Sequence, residues 1–178
     1  MVAEFQLGGE LPERGYGMLV RRSLGTVLVV VVMMLAGSAA FAQESERTVV
    51  RIEMGEYYFQ IEGQEQNEAI VLEAGRPYEF VFANVGTMEH EVLVGRDLVM
   101  VDGAPDGYET NLLDAVDVDV VGDDWEVGTS GLIEIELEEG ESVTIHVTVP
   151  SELIGTWEIA CFVPGHYEAG MKAPFVIE

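Results

Sequence analysis

The segment CFVPGHYEAGM, residues 161–171, spaces three metal-binding side chains evenly: Cys161, then His166 five residues on, then Met171 five further. Cys161 is the chain's one cysteine, and the chain has three histidines. A thiolate and a thioether are soft donors, and an imidazole is borderline. Zinc takes four firm N, S or O ligands and rarely a methionine. Two imidazoles, one thiolate and a weak axial thioether are instead the donors of a site that cycles between Cu(II) and Cu(I). Strand periodicity selects the second imidazole. In HEVLVG, His90, Val92 and Val94 share a face, so His90 points inward at the start of its strand. In GTWEIAC, Trp157, Ile159 and Cys161 likewise share the inward face. His146 sits among Thr144 and Thr148, opposite Val143, Ile145 and Val147, and is expected to face solvent. The expected ligands are therefore His90, Cys161, His166 and Met171, around one copper ion.

The elements that must hold these residues read as strands. TVVRIEM (48–54), YYFQIE (57–62), AIVLEA (69–74), YEFVFAN (78–84) and HEVLVG (90–95) are short, rich in β-branched and aromatic residues, and separated by Gly, Pro or acidic turns. LIEIELE (132–138), SVTIHVTV (142–149), GTWEIAC (155–161) and KAPFVIE (172–178) continue the pattern, with EEGES (138–142) as a hairpin turn. Strands at this spacing predict an all-β, antiparallel sandwich or barrel. Residues 97–130 read as a long, acidic, irregular insertion. In it Asp117–Val120 alternate as an edge strand, and Leu112, Leu113 and Val116 anchor it to the sandwich. A calcium loop at DVDVVGDD fails, because the twelfth position is Gly128 where a bidentate Glu is needed.

Ahead of these strands, Arg21 and Arg22 precede an apolar run from Val27 to Leu35 and an Ala40-Phe41-Ala42 site. That is the layout of a secretory signal peptide cleaved before Gln43. The expected organisation is a leader over 1–42, with 1–17 a possible upstream extension before Met18, and one domain over 43–178. The chain carries 33 acidic and 8 basic side chains, a net charge of −25. The leader holds Glu4, Glu10 and Glu13 against Arg14, Arg21 and Arg22, so the whole excess lies on the exported part. Such a surface repels nucleic acid and anionic membranes. It suits either a basic partner protein or a salty environment.

CFVPGHYEAGM together with NVGTMEHEVLVG upstream resembles the cupredoxin (plastocyanin and azurin-like) family of blue-copper proteins, most of all its exported bacterial members. The resemblance spans roughly residues 48–178. It implies a Greek-key β-sandwich with copper near one end, His90 and Cys161 on core strands, and His166 and Met171 on the closing loop. It also implies an electron port at the His166 edge, within an apolar patch of Phe162, Pro164, Tyr167 and Ala169. Members of the family often carry Asn directly after the first histidine, tying the two ligand loops. Here Glu91 stands there, and Asn84 is too far upstream to be its equivalent, which leaves the tie open. The implied role is a periplasmic or otherwise exported one-electron carrier. It would act as a monomer and not as an enzyme, exchanging electrons with a redox partner such as a basic cytochrome or terminal oxidase. The alternative is a copper-binding protein of copper tolerance or homeostasis. Three histidines and one cysteine are too few for a multicopper oxidase, a nitrite reductase or a two-cysteine copper centre within one chain.

Overall fold

The computed structural model describes residues 46–178. The leader expected over 1–42 lies outside the described residues. Strand runs in order through β1 (Thr48–Gly55), β2 (Tyr58–Ile61), β3 (Ile70–Leu72), β4 (Pro77–Asn84), β5 (His90–Val101) and β6 (Ala104–Asn111). It continues through β7 (Asp117–Val121), β8 (Glu126–Ser130), β9 (Ile135–Leu137), β10 (Ser142–Thr148), β11 (Gly155–Ala160) and β12 (Lys172–Ile177). One helical turn, α1 (His166–Ala169), precedes β12. One sheet runs β2-β1-β4-β10-β7-β8 and the other β3-β12-β11-β5-β6, with β9 joined to β5. The all-β sandwich expected from the strand pattern is what the chain forms.

Alternation decides which side chains fill it. Along β4, Tyr78, Phe80, Phe82 and Asn84 are buried in turn, while their neighbours are half-covered. Phe80 lies 6.3 Å, centroid to centroid, from Phe175 of β12. Trp157, Ile159 and Cys161 are buried as their period predicts, and on the neighbouring β12 Phe175 and Ala173 are buried beside Trp157 and Ile159. A buried aromatic adds geometric preference to its area, which fixes the register of such layers.

Three expectations need correction. Two pairings are parallel, β1 with β4 and β3 with β12. The chain leaves the first sheet at β3 and returns at β4, and such a crossover permits parallel neighbours where a hairpin cannot. The EEGES turn exists, with Gly140 at φ 78° and Glu141 N–H bonding Glu138 O. It does not close a hairpin: β9 pairs with β5, setting Leu137 opposite His90, while β10 pairs with β4. The 97–130 stretch is also regular. β5 runs on to Val101 and turns at Asp102-Gly103, both at positive φ (51° and 89°), into β6. Positive φ at both turn residues gives a twist that matches the flanking strands. β7 is then an inner strand between β10 and β8, and β8 is the edge. Leu112, Leu113 and Val116 are buried as expected.

Candidate metal centre

His90 opens β5 at the end of a loop that Asn84 organises. The Asn84 amide donates to Met88 O (2.7 Å) and Leu137 O (2.9 Å), and its Oδ1 accepts from Gly86 N–H (2.9 Å). Gly86 is required by close approach. A Cβ there would stand 2.8 Å from His90 Nε2 and 2.7 Å from a Glu56 carboxylate oxygen. Glu56 Oε1 in turn accepts from both Thr87 N–H and Thr87 Oγ1. These bonds hold the Glu56 carboxyl below the usual range.

Cys161 follows β11, and its N–H bonds Met171 O (3.2 Å). Between them the chain loops out and back. Pro164-Gly165 turns it, with Gly165 at φ 90°, and His166 N–H bonds Val163 O. The single turn α1 ends at Gly170, φ 104°, and Met171 N–H bonds His166 O (3.0 Å). Both glycines occupy left-handed backbone that a Cβ disfavours. These backbone bonds help to set His166 and Met171 beside Cys161.

The donor atoms of His90, Cys161 and His166 all lie within 4.8 Å of one another. His90 Nδ1 is 3.2 Å from His166 Nδ1, which is 3.4 Å from Cys161 Sγ. His90, Cys161 and Met171 are fully buried, and His166 is 4% exposed. A transition metal bound at about 2.0 Å from nitrogen and about 2.3 Å from sulfur sets its donors roughly 3–4 Å apart, the spacing found here. The residues therefore fit a metal ion, and with Met171 they are arranged like a type 1 copper site. His146 is not brought here. It lies on the outer face of β10, bonded to Glu79 (3.2 Å), and instead of standing open to solvent as expected its side chain is only 13% exposed.

Burial pushes the Cys161 thiol up to about 11, with Glu91 and Val163 N–H groups opposing and the Glu91 and Glu89 charges adding. Burial first, and then the other imidazole, lower His90; burial lowers His166. Both imidazoles are thus neutral and ready to ligate near neutral pH, whereas the thiol must shed its proton as metal enters.

Glu91 supplies the tie that the sequence left open. Its N–H donates to Cys161 Sγ (3.3 Å), and its carboxylate accepts from Phe162 N–H (3.2 Å). The carboxylate does what an amide oxygen would do, in a poor setting for charge. Burial, followed by Glu134, Glu136 and Glu89, raises its pKa against the Phe162 bond. Glu91→Gln, which keeps an acceptor, should preserve metal affinity. Glu91→Ala should weaken it by about 10–100-fold, the usual cost of losing an outer partner. Competition against a chelator would measure both.

Of the four residues expected to form a patch around His166, Phe162 and Tyr167 are half-buried. Phe162 and Tyr167 stack on each other (5.2 Å), Tyr108 meets Phe162 edge-on (5.1 Å), and both tyrosine hydroxyls donate to Glu158 Oε1 (2.8 Å each). Pro164 and Ala169 are exposed. Besides the His90 imidazole, the ring packed on His166 is Tyr57, from the turn between β1 and β2. Tyr57, expected to open the strand over 57–62, stands in this turn ahead of β2. The tight spacing of two alternating runs across Gly55-Glu56-Tyr57 was the available signal for a turn.

No family model matches this chain, and no curated protein does. Solved structures do. Auracyanin A, a "blue" copper protein from Chloroflexus aurantiacus, aligns over 75% of this chain and 100% of its own at 16% identity, TM-score 0.45. Rusticyanin from Thiobacillus ferrooxidans aligns over 75% and 79% at 14% identity, TM-score 0.48. A laccase from Pediococcus acidilactici aligns over 76% of this chain but 28% of its own, at 14% identity and TM-score 0.50. At such identities the likeness concerns the fold alone, a two-sheet β-sandwich.

Proposed function

We propose that this chain is an exported type 1 copper protein that carries single electrons between redox partners. The convergence of two Nδ1 atoms and one Sγ in a buried pocket carries this reading. When bound, copper would supply a Cu(II)/Cu(I) couple. The protein's part is to hold His90 on β5, and Cys161, His166 and Met171 around one loop, in a single arrangement for both oxidation states. Catalytic metal sites keep an open position for substrate. Here the donors are buried among protein atoms, which favours outer-sphere electron exchange over bond chemistry. Export is read from the leader. Among the described residues, no helix is long and apolar enough to cross a membrane. The partner proposed is a basic redox protein, matched to the net charge of −25.

Protein-film voltammetry tests the proposal. One reversible one-electron couple is expected, and Met171→Gln should lower its potential with copper retained, because oxygen is a harder donor than thioether and disfavours Cu(I). Each tenfold loss of preference for Cu(I) over Cu(II) lowers the potential by about 59 mV. An unchanged or raised potential would remove Met171 from the site. Irreversible behaviour, with copper released on reduction, would favour copper buffering instead.

A further inference from the structure

The turn between β1 and β2 consists of two residues, Glu56 and Tyr57, since Gly55 and Tyr58 are already paired across the hairpin. Tyr57 has φ 71°. Left-handed backbone is the ordinary ground of Gly or Asn, and a bulky residue there is an outlier. Such outliers persist where the surrounding structure enforces them, and they often mark function.

The surroundings here are the two ligand loops. Glu56 bonds Thr87, three residues before His90. Tyr57 sets its ring edge-on to His166, with centroids 5.3 Å apart and planes at 89°. The Asn67 amide then donates to both Tyr57 O (3.3 Å) and Gly170 O (3.1 Å), joining the turn to the end of the His166 helix. His166 is 4% exposed while Tyr57 is 42% exposed. The outer of the two rings is the phenol.

We infer that Tyr57 is a cap on His166, a positioning and access-controlling residue that closes this ligand to solvent and to small reagents. The functional meaning rests on His166 being a copper ligand, as proposed above. Partners then meet a phenol ring where a bare imidazole edge would otherwise be presented. The Glu56–Tyr57 turn clasps both histidine-bearing loops at once. Tyr57 undergoes no chemistry of its own, and its ring remains neutral and reduced.

The test needs no copper. Metal-free protein is treated with diethyl pyrocarbonate at neutral pH, and the rate of modification at each histidine is read by peptide mass spectrometry. Tyr57→Gly and Tyr57→Asn remove the phenol and suit the left-handed backbone, and Tyr57→Phe keeps the ring. His166 should react about tenfold faster or more in the Gly and Asn variants, as expected when local opening is no longer required. It should react at the wild-type rate in the Phe variant. Equal rates in wild type and both ring-less variants would overturn the cap. So would simultaneous labelling of His90, His146 and His166 in both, which would mean that the ring holds the fold together instead of covering one ligand. If the protein proves not to bind copper, the labelling result is unaffected, so the two failures are separable.

Discussion

Cys161→Ser should abolish the intense red-end absorption of the Cu(II) protein completely. That band requires a thiolate donating charge to copper, and this chain has no second cysteine. The substitution is nearly isosteric, and Glu91 N–H can donate to a serine oxygen as it does to Sγ. The metal-free fold should therefore lose only about 1 kcal/mol. Copper affinity should fall well beyond the ~10–100-fold that an outer partner is worth, because a direct ligand is removed. Absorption spectra, chelator competition and thermal melts of the two proteins side by side would check all three. Colour that survived the substitution would place the copper elsewhere. His146→Ala, on the outer face of β10, should change neither colour nor affinity.

Electron exchange with a basic cytochrome should slow steeply with salt. A field of this size can raise encounter rates by about 10–10³-fold, and it is screened as the Debye length falls from ~30 Å at 10 mM to ~8 Å at 150 mM salt. Carboxylates lie close to the site. Glu136 is directly opposite Glu91 across the β5–β9 pair, and Glu89 lies with them. Neutralising Glu89, Glu134 and Glu136 should flatten the salt dependence more than neutralising Asp117, Asp119, Asp123 and Asp124 on the β7–β8 hairpin. Stopped-flow rates over a salt series decide this. A flat profile, with melting temperature rising in molar salt, would assign the acidity to salt adaptation.

The clustering of His90, Cys161 and His166 was legible in the sequence, for a physical reason. Copper donors are rare residue types, and strand periodicity states which of them face inward. His90 and Cys161 were readable from alternation and His166 and Met171 from spacing, and the structure gathers His90, Cys161 and His166 with Met171 buried beside them. What escaped was set by long-range geometry. Nothing local in Glu91 announces that its carboxylate reaches Phe162 N–H, seventy-one residues away. Tyr57 looked like the start of a strand, because its backbone conformation is imposed by the loops it clasps. The 97–130 stretch looked irregular because its strands are acidic and only partly buried. β7 is ordered by pairing on both sides, which composition does not record. EEGES looked like a hairpin because a turn between two alternating strands usually is one, and the pairing of β9 with β5 is decided by burial of Ile135 and Leu137.

The most direct measurement is a Cu(II) titration of metal-free wild-type protein followed by visible absorption. The account predicts an intense thiolate-to-copper band that grows linearly and saturates at one equivalent. A complex that stays colourless through the first equivalent would contradict it.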